Sequence, residues 1–386
     1  MSAGTQERTP TRVVSVDLLR GIVMILMALD HTRDFFSNLR FPPEDLSRAT
    51  PMLFFTRWIT HFCAPIFFLL AGVGASLALK GGRSKKEVSL FLLTRGLWLS
   101  FVELTILHFF WNFDFALPRF LLVLWALGMS MVVLAGAIFL PRAAVAAIGL
   151  IMIAGHNLLD GISPESLGAF AGLWHILHVP GFAVPGLAFV GYPLIPWAGV
   201  MMVGFALGAV FDWEPERRKR FLLRAGLAAT VGFIVLRLLN GYGDPRDWTV
   251  QSSAAMTVAS FLNLLKYPPS LLYLLMTLGP ALIALRFFDN ARGRLVDVIS
   301  VYGRVPMFYY VVHILVIHLL ASAFALAQGG AAAFLGLDVG SYPAWYGTSL
   351  PGVYLAWLII VAILYIPCVW FANLKARRRD WWLGYL

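Results

Sequence analysis

The chain has 386 residues, of which 60% are hydrophobic and only 13% charged, whereas soluble domains carry about a quarter charged residues; a soluble globular fold is excluded. Its apolar runs approach the spanning length of about 20 residues, which also excludes a β-barrel built from short alternating strands. In such a chain the net charge of +10 governs membrane orientation and does not mark nucleic-acid binding.

The expected fold is all-α: a polytopic membrane protein of about ten transmembrane helices with both termini cytoplasmic. Residues 1–11 are polar and read as a disordered cytoplasmic tail. Helices are predicted at 13–36, 54–79, 88–111, 118–140, 143–159, 190–211, 221–240, 268–287, 299–327 and 350–373, with 251–266 as an interfacial helix. No internal repeat or domain boundary is visible, so 12–374 forms a single transmembrane domain and 375–386 a basic cytoplasmic tail. Short basic connections at Lys80–Lys86, Arg217–Arg224 and Lys375–Arg379 contrast with long outer loops rich in Gly, Pro and aromatics. That asymmetry puts the basic connections inside.

The first predicted helix, Arg12 to Asp34, carries Asp17, Arg20, Met24, Met27, His31 and Asp34 at steps of three or four, so they share one face. Arg20 and His31 are separated by about 16 Å along the axis. All eight histidines fall at or beyond mid-membrane on the outer side, opposite the basic connections. His31, next to Asp30, Arg33 and Asp34, reads as a general base oriented by Asp30 or Asp34, or as a solvated helix end. His61, in Trp58-Ile59-Thr60-His61-Phe62-Cys63-Ala64-Pro65, is the second candidate base.

Charges within the spans are costly and either pair or serve a pathway. Asp17 and Arg20 read as an intrahelical ion pair or as part of a site, and Arg95 as an interfacial side chain or a ligand contact. Glu103 either pairs with an Arg or lines a polar cavity. His313 and His318 read as helix-packing residues with buried hydrogen bonds. No nucleophile elbow or P-loop is present. Cys63 and Cys368 lie in apolar runs, and His175-x-x-His178 has no acidic residue close by in sequence, so no metal is expected.

Ser15-Val16-Asp17-Leu18-Leu19-Arg20-Gly21, followed by His31, resembles the first helix of the transmembrane acyltransferase superfamily, which joins the acyltransferase-3 and heparan-α-glucosaminide N-acetyltransferase families. Further segments resemble bacterial members of the second branch. These are Arg57 through Pro65 to Gly72, Arg95-Gly96-Leu97-Trp98 with Glu103-Leu104-Thr105, Tyr192-Pro193 to Trp197, Tyr267-Pro268-Pro269, and Gly303-Arg304-Val305-Pro306 through His313. The resemblance implies an integral protein of the bacterial inner membrane that transfers an acyl group, chiefly acetyl. Acetyl-CoA would be the cytosolic co-substrate, and a glycan or glycolipid on the far side the acceptor. Arg20, Gly21 and His31 fall on the acyltransferase-3 hallmark, whose His is catalytic. Heparan-specific members carry their catalytic His in the loop after the first helix, and loop 37–56 has none here, so heparan specificity is not carried over.

The expected nucleotide site lies at the inner mouth, with Arg20, Asp17, Arg95, Lys85, Lys86, Arg217 and Arg218 as candidate contacts. Expected partners are acyl-CoA, membrane lipids and the acceptor; the oligomeric state is open between monomer and homodimer. The competing classes are a transporter or carrier-lipid flippase, and a noncatalytic assembly factor.

Overall fold

A computed structural model describes residues 13–331, 334–378 and 380–385; the expected tail at 1–11 lies outside the described residues. The helices are α1 (Val14–Phe36), α2 (Pro51–Thr60), α3 (Cys63–Lys80), α4 (Lys85–Val102), α5 (His108–Asn112), α6 (Val123–Ala137), α7 (Arg142–Gly155), α8 (Ala171–Leu177), α9 (Leu194–Leu207), α10 (Pro215–Leu239), α11 (Ala254–Leu262), α12 (Leu271–Phe288), α13 (Arg294–Arg304), α14 (Pro306–Ala327) and α15 (Leu350–Arg377). Eight helices among the described residues are long and apolar enough to cross a membrane. The two remaining predicted spans are α1, whose 23 residues carry charges near both ends, and α6, with 15 residues. The protein is a polytopic all-α membrane protein, with one small sheet at the end of the bundle where α1 finishes. There β3 (Ala188–Val190) lies between β1 (Arg119–Leu121), parallel to it, and β2 (Gly181–Val184), antiparallel.

Three predicted spans are broken, each for a local reason. The predicted helix 118–140 starts only at Val123, because Arg119–Leu121 pairs into the sheet. The predicted helix 54–79 divides between Thr60 and Cys63. Pro65, in the first turn of α3, has no N–H for the carbonyl of His61; the Tyr273 hydroxyl donates to that carbonyl instead, at 2.7 Å. The predicted helix 299–327 divides at Val305, whose φ of −129° and ψ of 49° are non-helical. A residue before proline is pushed out of the α region, and Pro306 then opens α14 as its first residue.

In lipid the hydrophobic effect does not drive helices together, so close backbone approach through small residues takes over. α1 packs against α13, α12, α14, α15 and α3, which makes it the central helix. At the α1–α13 crossing, a Cβ on Gly303 would stand 1.9 Å from the Asp17 carbonyl oxygen. At the α4–α6 crossing, a Cβ on Gly96 would stand 2.4 Å from the Gly128 carbonyl oxygen. Gly72 with Gly204, and Gly226 with Gly279, mark the α3–α9 and α10–α12 crossings in the same way. α15 runs on to Arg377, and the turn Trp381–Gly384 folds back against α4, where Tyr385 Oη lies 2.7 Å from Thr94 Oγ1.

Gly303→Val should therefore force α1 and α13 apart. Differential scanning fluorimetry of the detergent-solubilised protein is expected to show an apparent melting temperature lowered by roughly 5 °C or more. Gly74→Ala, where nothing lies within 4 Å of the added Cβ, is expected to leave it unchanged.

Candidate active site

A cavity of about 570 Å³ follows the face of α1 that carries Arg20, Met24, Met27 and His31. One end is basic: its charged lining residues are Arg20, Arg95, Arg304 and Lys375. The middle is apolar, with Met24, Met27, Phe67, Leu70, Leu99 and Met131. The other end holds His31, Asp30, Arg33, Asp34, Arg57, Tyr192, Lys266 and Tyr267. The axial distance between Arg20 and His31 on α1, about 16 Å, sets the length of this route.

His31 projects from α1 toward α14, where its Nδ1 lies 2.7 Å from Nε2 of His313. The tautomers follow from the next bond in the chain. His313 Nδ1 lies 2.6 Å from the Tyr310 carbonyl oxygen, and a carbonyl only accepts, so Nδ1 carries the proton. His313 Nε2 is then an acceptor, and His31 Nδ1–H donates to it. In its neutral form His31 therefore keeps an unprotonated Nε2, the state a general base requires. Trp111 packs edge-on against His31, with ring centroids 5.1 Å apart. The Trp111 indole N–H is buried without a partner, and the residue lines the same cavity. A buried orphan donor beside a base is a group waiting for an acceptor.

Asp30 and Asp34, the expected orienters of His31, are both paired with arginines. Arg57 donates to Asp30, and Arg33 lies 3.0 Å from Asp30 and 2.7 Å from Asp34. Arg57 also donates from Nε to Glu44 at 2.7 Å. Burial opposes ionisation of Glu44, but the Arg57 guanidinium and the His61 imidazole outweigh it and hold this loop carboxyl well below the usual range. Tyr267 is shifted the same way: burial raises its phenol, and the neighbouring Lys266 and Arg57 cations more than offset it. Its oxygen is 3.3 Å from that of Tyr192.

His61 does not line the cavity. It is buried, packed on Tyr273 with ring centroids 5.4 Å apart, and its Nε2 is 3.7 Å from Glu44. Of the candidate nucleotide contacts, Arg20 and Arg95 line the basic end, and Asp17 stands 3.5 Å from Arg20. Arg20 also donates to the Gly303 carbonyl at 3.2 Å, and Arg95 to that of Gly384. Lys85, Lys86, Arg217 and Arg218 do not line the cavity. Lys85 reaches the Phe139 carbonyl at 3.4 Å, Arg217 lies over the Trp213 ring at 4.3 Å, and Arg218 pairs with Asp289 at 2.7 Å; Lys86 is exposed. Glu103 follows neither sequence expectation. It sits on a π-helical turn, Glu103–Leu107, and accepts from the backbone N–H groups of Leu124 at 2.6 Å and Trp125 at 3.2 Å, capping α6.

The family model for heparan-alpha-glucosaminide N-acetyltransferase, catalytic, matches residues 12–236. The chain belongs to this family. It is accordingly a transmembrane acetyltransferase in general character, and no curated protein matches it. The matched stretch of this N-acetyltransferase family covers His31, Arg20, Arg95, Glu44, Arg57 and Trp111. His313 lies beyond it, as do Arg304, Lys266, Tyr267 and Lys375, which complete the cavity from the second half of the chain.

The hydrogen bond between His31 and His313 makes a specific kinetic prediction. His313→Ala should lower kcat about 10²-fold with KM little changed. The double variant with His31→Ala should be no slower than His31→Ala alone, because the two rings act as a unit; independent effects that multiply would count against the pairing.

Proposed function

We propose that the protein transfers an acetyl group from acetyl-CoA, held in this cavity, to a hydroxyl or amine acceptor presented at the histidine end. The observation that carries the proposal is the continuity of one cavity from four cationic side chains to the free Nε2 of His31. Its chemistry matches the donor in order. Phosphates would meet Arg20, Arg95, Arg304 and Lys375. The pantetheine arm would lie along Met24, Met27 and Leu99, which presents the thioester beside His31. The basic end would face the cytosol, consistent with the basic connections there, in a bacterial cytoplasmic membrane. The acceptor would be a glycan or glycolipid, approaching the aromatic histidine end.

In the reaction, His31 Nε2 takes the proton of the acceptor X–H as X attacks the acetyl carbonyl. The tetrahedral oxyanion would accept hydrogen bonds from Trp111 Nε1–H and the acidified Tyr267 hydroxyl. Collapse breaks the C–S bond, and the proton on His31 passes to the leaving thiolate, giving acetyl-X and free CoA. His313 keeps His31 in the productive tautomer throughout. The transfer is direct in this reading, because the Cys63 thiol in the cavity wall donates to the Val23 carbonyl at 3.3 Å and is not poised as a nucleophile.

With radiolabelled acetyl-CoA and purified protein, His31→Ala is expected to lower acetyl transfer about 10²–10⁴-fold while CoA binding persists. Wild-type turnover in that variant would remove His31 from the mechanism. Arg95→Ala and Arg304→Ala are expected to raise KM for acetyl-CoA about tenfold each. Lys85→Ala and Arg217→Ala are expected to leave it unchanged, and the opposite pattern would move the nucleotide out of the cavity.

A further inference from the structure

A second cluster of titratable side chains lies outside the acyl-transfer cavity. His156 directly follows α7 and begins a short turn of 3-10 helix, His156–Leu159. Asp160 closes that turn, four residues on, and His178 ends α8. The donor atoms of the three residues all lie within 4.8 Å of one another. His178 Nε2 stands 3.0 Å from Asp160 Oδ1. The other carboxylate oxygen, Oδ2, is held at 2.9 Å by Asn157 Nδ2, and Asn157 is itself fixed by the Leu271 N–H at 2.9 Å.

Both imidazoles are buried, His156 at 1% exposure and His178 at 0%. Neither nitrogen of His156 makes a well-formed hydrogen bond, although the Pro269 carbonyl lies beside its ring, and His178 Nδ1 has no partner. Leaving buried polar atoms unpaired costs about 1–3 kcal/mol each, so such groups call for a ligand. Two imidazoles and one carboxylate, with one position open to water, form a donor set suited to zinc and its neighbours.

We propose that His156, Asp160 and His178 bind a divalent transition-metal ion of the zinc class, with water completing its coordination. The ion takes the place of the proton that His178 Nε2 donates to Asp160, and that proton moves to Nδ1 or to solvent. Tetrahedral bonds of about 2.0–2.1 Å place ligand atoms roughly 3.3 Å apart, so the His156 ring turns inward on binding. The Pro269 carbonyl lies beside that ring and can take an N–H from the nitrogen facing away from the ion, as carbonyls do for metal-bound histidines. Asp160, exposed on one side, leaves a path for the ion and its water. The site joins the end of α7 to the end of α8 and braces Pro269, two residues from cavity-lining Tyr267.

The test uses the full-length protein in detergent, with its affinity tag removed, stripped by chelator and dialysed against buffered Zn²⁺. Plasma mass spectrometry is expected to return about one Zn²⁺ per chain, and Co²⁺ loading to give the intense visible bands of a tetrahedral site. His156→Gln and His178→Gln should abolish both signals, while His175→Gln should preserve them. Should the histidine variants fail to fold, Asp160→Asn decides: the amide keeps the contact with His178 yet should weaken Zn²⁺ binding about 10–100-fold. No bound metal in the wild type at roughly micromolar free Zn²⁺, or Zn²⁺ binding that is unmoved by Asp160→Asn, overturns the proposal.

Discussion

Arg57 lies between Asp30 on α1 and Glu44 in the following loop, and most of the histidine end depends on that placement. Ions buried in a low-dielectric bundle cost several kcal/mol each unless matched. Here Asp30, Asp34 and Glu44 face Arg33, Arg57 and Lys266, so opposite charges are balanced around the cavity. The network spans elements distant in sequence: α1, α2, the loop between them and the end of α11, whose Asn263 donates to the Glu44 carbonyl at 2.9 Å. Removing one partner of a buried pair typically costs about 3–5 kcal/mol, because the other charge is left stranded. The same balance leaves His31 with a neutral partner. With both nearby aspartates committed to arginines, its tautomer is set by His313 and, beyond that, by the Tyr310 carbonyl.

The cavity combines two solvents along one helix face. Its basic end suits phosphate oxygens, its middle suits methylene groups, and its far end holds the His31 imidazole among aromatic rings. The breaks in the helices make this possible. The break at Val305-Pro306 ends α13 with Arg304 at the basic end and starts α14 so that His313 reaches His31. The break at His61-Phe62 lets α2 carry Arg57 to Asp30 while α3 continues the cavity wall. Irregular backbone at membrane depth is tolerated where it is buried in protein or lines a cavity, and both breaks meet that condition.

Much of this was legible from residue patterns, and the remainder was not for identifiable reasons. Hydropathy located the eight helices that are long and apolar enough to span a membrane among the described residues, and the three-to-four residue spacing of Arg20, Met24, Met27 and His31 foretold the face of α1 that lines the cavity. His313 read as a packing residue, since its meaning comes from a partner 282 positions away. Asp30 and Asp34 looked like natural orienters of His31 because sequence proximity hides Arg57, which arrives from another helix. Glu103 suggested an ion pair, yet it caps α6 through backbone donors that have no sequence signature. The three-residue strand at Arg119–Leu121 was absorbed into a helix because so short an apolar run has no period of its own.

On the proposed function, the donor lies along one continuous cavity from the basic end to His31. The most direct measurement is a cryo-electron microscopy structure of the protein with a non-hydrolysable acetyl-CoA analogue. Phosphate density is expected against Arg20, Arg95, Arg304 and Lys375, with the acyl carbonyl within roughly 3–3.5 Å of the acceptor position beside His31 Nε2. Nucleotide density at Lys85, Lys86, Arg217 or Arg218, or an acyl group remote from His31, would count against that route.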